Sequence, residues 1–349
     1  MDSNNPSYDS GPIRGNITRD DPGQSTSALS SPTQNSAIQN DSIQSELVLA
    51  CTNYTDRLLS LDLIKQISHL CRAIQRHRGL GMSLIAGYEQ FSSEFLSLQR
   101  QVARRMRTLQ AFAHQSHHLL PNNQLEKLAS SWSMIEQGWQ RDSVMENFEF
   151  HSHFIEQLLQ IMMLLARRME RPVADEFVGI DSASPEKTNA GLSARKQAFS
   201  QVGLLVFVCN QLPSLIEQVA KIRGLSTLAA SRGSVDELEL GKLKYFIQGT
   251  RVQYEKVRNQ ADRLGENTDN RIPALPLIKA YEFKLMFLLT TVEKEVMEPR
   301  AIRMDSSQLF SLATEIIDAY LKVVDEGLTL LYLWQEESLD LWHKHGDQV

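Results

Sequence analysis

The sequence predicts an all-α protein: two joined four-helix bundles, eight helices in all, behind a disordered N-terminal tail. Three observations carry this. Apolar residues recur every three or four positions through long segments, the spacing that gives a helix one buried face. No stretch alternates with a period of two, as a half-buried strand would. Polar segments rich in Ser, Asn, Asp, Pro and Gly precede the first set of helices and separate it from the second.

Residues 1–42 hold almost no large apolar side chains, so they cannot offset the entropy of ordering and are expected to be a disordered tail. The first bundle is expected over residues 43–171. A long helix runs from Ile43 to about Ala86, and a second from about Glu89 to Leu120, with Phe95, Leu98, Val102 and Met106 on one face. Pro121-Asn122-Asn123 interrupts the pattern. A shorter helix spans Gln124 to Gly138, and a fourth runs from about Met145 to Met169, striped by Phe154, Leu158, Ile161 and Leu165, until Arg171-Pro172 stops it.

Residues 172–190 read as a linker, and the second bundle is expected over 191–345. Its first helix runs from about Leu192 to Ser231 and contains Pro213, which removes one backbone donor and should kink it. Helices follow at about Val235–Leu264, Pro273–Glu298 and Ser306–Lys344, the last capped by Asp305-Ser306-Ser307. Trp334 and Trp342 on this helix are read as buried bundle residues, with an exposed docking face as the alternative.

With 349 residues, 42% of them hydrophobic, the chain can bury a substantial core. A net charge of -6 argues against a nucleic-acid surface over the whole protein, and the basic run Arg100 to Arg107, Arg105 included, reads as a solvated face. Three scattered cysteines (Cys51, Cys71 and Cys209) read as reduced thiols. The N-terminal residues are polar, and no apolar run approaches the roughly 20 residues that a bilayer demands. The expected setting is cytoplasmic, with no membrane contact.

Chemistry concentrates in two short stretches, Arg76-His77-Arg78-Gly79-Leu80-Gly81 and Lys221-Ile222-Arg223-Gly224-Leu225-Ser226. Each residue of a helix advances about 100° around its axis. On that wheel Arg78 falls inside the stripe of Ile67, Cys71, Ile74 and Ile85. Arg223 falls inside that of Leu205, Leu212, Ile216 and Val219. Arg76 and Lys221 point to the far sides of their helices. An arginine aimed into an apolar interior needs an anion beside it. That anion is either an internal Asp or Glu, or a bound ligand of the flat, oxygen-bearing kind that a guanidinium fork fits. Gly79 and Gly224 cost their helices about 1 kcal/mol each relative to alanine, which makes sense if a helix or ligand approaches closely there. Arg168 continues the stripe of Phe154, Ile161 and Leu165 by one turn and is a third candidate cation. The histidine clusters His117-His118, His151-Ser152-His153 and His343-Lys344-His345 lack the spacing of a metal site, so no metal or cofactor is expected. No phosphate loop, nucleophile elbow or carboxylate dyad marks an enzyme.

The two stretches resemble the paired signatures of the nitrate- and nitrite-sensing (NIT) domain over about residues 45 to 345. The resemblance implies two joined four-helix bundles that hold nitrate between arginines of both halves. Arg78 and Arg223 match those arginines, and Arg168 matches an additional one from the end of the first bundle. His77 and Ile222 stand where the family usually has an acidic residue. NIT domains sit beside output modules such as an RNA-binding ANTAR domain, a kinase or a chemotaxis signalling region. None follows here, so the implied partner is a separate output or regulatory protein, with a homodimer left open. The function expected is that of a sensor, not an enzyme, whose ligand is nitrate or nitrite. Two other readings stay open: a helical interaction scaffold with both arginines satisfied internally, and a metal-dependent helical enzyme.

Overall fold

The computed structural model describes residues 32–116, 119–170, 200–268, 270–298, 302 and 304–346, with side chains at 45, 48 and 49 and, within those ranges, from 51 to 337. Every described secondary-structure element is helical. Helix α1 spans Pro32–Ile85, and a 3₁₀ turn at Glu89–Phe91 leads into α2 (Ser92–Gln115). Then come α3 (Asn122–Gly138), α4 (Val144–Arg167) and α5 (Ser200–Arg232). The chain closes with α6 (Glu237–Asn267), α7 (Leu277–Ala280), α8 (Glu282–Thr291) and α9 (Ser306–Gly346). By contact, the described residues from Val48 onward form one compact unit. The tail over residues 1–31, the linker at 172–190 and the side chain of Trp342 lie outside the described residues.

Local chemistry accounts for several boundaries. Ser143 and Glu146 form a reciprocal capping box at the start of α4, and Asp236 and Glu239 do so at α6. Gly233 closes α5 at φ +75°, a left-handed conformation that side chains with a Cβ resist. Helix α1 starts at Pro32, ahead of the expected Ile43, because proline at a helix start forfeits a donor that has no intrahelical partner anyway. The single helix expected over Pro273–Glu298 is divided. Pro276 caps the short α7, Tyr281 separates it from α8, and a π turn follows at Val292–Val296.

Pro213 acts on α5 as a backbone break of a particular kind. The helix widens into a π turn at Phe207–Gln211, where Leu212 N–H reaches back five residues to Phe207 O. Helix α5 is the hub: it packs on α9, α6 and α4. It is buried on nearly every side, from Leu204 and Phe207 through Leu215, Val219 and Ile222 to Leu225. Among the described residues it is the one helix long and apolar enough to cross a membrane, with a mean hydropathy of 1.4 in its most apolar window. That window is 61% buried inside the fold, which is how a core helix is built. Trp334 on α9 is buried, as expected of a core position.

Candidate functional site

Three buried charged side chains, Glu217, Lys221 and Arg223, sit on α5, and the interior around them must answer each one. Glu217 is 3% exposed and meets Arg78 of α1, which is 1% exposed. Arg78 Nη1 donates to Glu217 Oε1 at 2.6 Å and Nη2 to Oε2 at 3.4 Å. Gln75 Nε2, one turn before Arg78, donates to Glu217 Oε2 at 2.9 Å. Ser152 Oγ on α4 accepts from Arg78 Nη1 at 2.9 Å while donating its own proton to Phe148 O. The Phe148 ring lies 5.2 Å from the guanidinium carbon. Arg78 is therefore satisfied by an internal carboxylate, one of the two partners that the sequence left open.

Arg223 is not satisfied in that way. It is 9% exposed, and its Nη1 donates to Thr314 Oγ1 of α9 at 2.9 Å. Its guanidinium carbon stacks 4.9 Å from the Phe310 ring, which is itself partly open to solvent. Among the described residues no Asp or Glu oxygen forms an ion pair with it. Burial, and next the positive charge of Arg78, push its pKa down to about 10; Asp318 and Glu217 act in the opposite direction from further off. Arg223 and Arg78 thus feel one another across the α1–α5 contact; Arg78 is ion-paired with Glu217, and among the described residues no carboxylate is ion-paired with Arg223.

Other expectations are corrected here. Lys221 does not point away from the core. It is buried, its Nζ donates to Glu156 Oε1 at 2.8 Å, and it lies 5.3 Å from the Phe246 ring. The reason is that α5 has almost no solvent side. Arg76 does point outward, to Glu94. Arg168 is exposed and does not extend the inward stripe, while Met169 is buried. Beyond Arg167 the chain tightens: Arg168 N–H bonds to Leu165 O and Met169 N–H to Ala166 O, three residues back rather than four. A wheel drawn at 100° per residue stops holding there. Gly79 faces open space, and a Cβ at Gly224 would make only ordinary contact with Met82 Sδ at 3.6 Å. The tight glycine of the first stretch is Gly81, where a Cβ would lie 3.0 Å from Asn147 Oδ1 and 3.3 Å from Phe95 Cε2.

Beside Arg78, His77 touches all three of the following helices. It packs on Phe95 of α2, Trp132 of α3 and His151 of α4. His77 Nδ1 lies 2.7 Å from His151 Nε2, and His151 Nδ1 lies 2.7 Å from Asn147 O. A carbonyl only accepts, so His151 Nδ1 carries the proton and, in a neutral ring, its Nε2 accepts from His77 Nδ1. Burial pushes the His77 pKa down to about 3 and that of His151 well below its ordinary value. Both rings are therefore neutral hydrogen-bonding groups at pH 7. The described residues contain no group of three or more His, Cys, Asp or Glu able to hold a metal ion. Burial pushes the thiols of Cys71 and Cys209 upward, the latter to about 12, which leaves both unreactive.

Glu217, Gln75, Ser152, Thr314 and Phe310 were not identifiable as site residues one by one. One signal did exist. A helix as apolar around its whole circumference as α5 must pair any charge it carries, and Glu217, Lys221 and Arg223 are such charges. Compared with known proteins, the chain matches no family model, no curated protein and no solved structure.

Proposed function

We propose that this chain is a cytoplasmic, non-enzymatic sensor of the nitrate- and nitrite-sensing kind. In this reading the two helical sets are four-helix bundles, and a small planar anion binds where α1 meets α5. The observation that carries it is Arg223: a buried guanidinium, destabilised as a cation by burial and by Arg78, with a hydroxyl and an aromatic face for neighbours. A monovalent anion beside it would supply the missing charge. Phe310 and the residual exposure of Arg223 put this point just beneath the surface, within reach of an ion from solvent. An anion gripped from both α1 and α5 would favour one relative arrangement of these helices by as much as its affinities for the two arrangements differ. The signal would pass to a separate output protein.

Calorimetry on the full chain with sodium nitrate and sodium nitrite, against sodium chloride at equal ionic strength, tests this. Binding of either oxyanion that is lost in Arg223→Ala supports the sensor. Heat indistinguishable from chloride rejects it. The second reading, a helical interaction scaffold without a small ligand, draws on the Arg78–Glu217 pair, which satisfies one arginine internally. A thermal-shift series separates the two, because only a sensor is stabilised by millimolar nitrate beyond matched chloride.

A further inference from the structure

The carboxylate of Glu217 has a flat trigonal centre bearing two oxygens and one negative charge, and it is held as such an ion would be held. One oxygen lies 2.6 Å from Arg78 Nη1; the other is shared by Gln75 Nε2 at 2.9 Å and Arg78 Nη2 at 3.4 Å. Ser152 Oγ completes the donor demand of Nη1. The donors come from α1, whereas the carboxylate comes from α5, the helix that also carries Arg223. The fork is not closed evenly, since its second arm is 0.8 Å longer than its first. The contact is therefore a bond between two helices, made by an anion of the size and shape of the proposed ligand.

We propose that Glu217 is a built-in occupant of the anion site, and that the site takes planar, monovalent anions able to present two oxygens side by side (nitrate, nitrite and the smallest carboxylates) by releasing it. This rests on the anion-sensor reading and specifies its ligand class and its switch. Chloride has no second oxygen to face Gln75. Sulfate, although two of its oxygens can meet a guanidinium, brings a second charge and two out-of-plane oxygens into a buried position that a monovalent planar carboxylate fills. The displaced carboxylate has a destination. Lys221 lies four residues further along α5, on the same side and already buried; its Nζ donates to Glu156 at 2.8 Å and has further protons to give. A Glu placed four residues before a Lys is the favourable order on a helix, so Glu217 would share the ammonium with Glu156. Moving from Arg78 to Lys221 would release a buried tie between α1 and α5 and leave Arg78 free to join Arg223 on the ligand. Arg223 keeps no carboxylate in either state because its counter-ion is the ligand.

The test compares the wild-type chain with Glu217→Gln and Glu217→Asp. Each is titrated with nitrate, nitrite and formate, with chloride and sulfate as controls at equal ionic strength. With the occupant neutralised, nitrate should bind at least about tenfold more tightly than to wild type. Glu217→Asp, which keeps the charge but withdraws it by one methylene, should fall between them. It keeps the comparison available if Glu217→Gln does not fold in chloride. Formate should raise the melting temperature of Glu217→Gln as nitrate does, and sulfate should not. If wild type binds nitrate and both variants bind it no more tightly, Glu217 is not the occupant, while the sensor reading stands. If none of the three distinguishes nitrate from chloride, both proposals fall together.

Discussion

Gly327 of α9 lies so close to Val208 of α5 that a Cβ added to it would sit 2.5 Å from Val208 Cγ1 and 3.3 Å from Leu204 Cδ1. Val208 belongs to the π turn that precedes Pro213, so the bare backbone of α9 lies against a side chain carried by the widened turn of α5. Gly327→Ala should therefore destabilise the fold by about 1–3 kcal/mol through overpacking. Val208→Ala in the same chain should recover part of that loss. Urea denaturation of the two single variants and the double variant measures the coupling, and strict additivity would contradict the contact.

The buried Arg78–Glu217 pair makes a second prediction about stability. Arg78→Met leaves Glu217 without its counter-ion and should cost about 3–5 kcal/mol. Arg78→Met combined with Glu217→Met removes both charges and should recover most of it, since two apolar side chains there owe no desolvation penalty. Equal losses in the single and double variants would show that the pair contributes packing alone.

The two buried histidines make stability depend on pH. In the unfolded chain each takes up a proton as pH falls through about 6.5, whereas in the folded chain His77 stays neutral down to about 3 and His151 also resists protonation. Below about pH 6.5 the unfolded state binds more protons, so stability is complete above that value and is lost progressively as pH falls toward 3. Between pH 6.5 and 4.5, before most carboxylates titrate, the slope should correspond to about two protons from this pair. In His77→Gln, which keeps a donor for His151 Nε2, that contribution should fall to about one. An unchanged acid limb by urea denaturation at stepped pH would refute the buried pair.

Arg168 and Arg223 should separate cleanly. Arg168 is exposed at the end of α4, so Arg168→Ala should change stability by no more than about 0.5 kcal/mol and leave any nitrate-induced thermal shift intact. Arg223→Ala should abolish that shift. Loss of the shift in Arg168→Ala would return Arg168 to the site.

Much of this molecule is legible along the chain. Helical periodicity from Ile67 through Ile74 and from Leu212 through Val219 defines faces that are buried as expected, and Pro121, Pro213 and Asp305 mark ends and interruptions close to where they occur. The inward aim of Arg78 and Arg223 is equally a property of sequence, because helix geometry is local and repeats every 3.6 residues. Partnership is not local. Glu217 lies 139 residues from Arg78, and Thr314 lies 91 from Arg223, so no spacing rule connects them. The exposed turn of Arg168, the burial of Lys221 and the closeness of Gly327 to Val208 depend on where a helix tightens and which neighbours surround it. Sequence determined the inward aim of Arg78 and Arg223; the packing of α1, α4 and α9 around α5 decided that one arginine meets a carboxylate there and the other does not, because counter-ions come from whichever distant helix lies alongside.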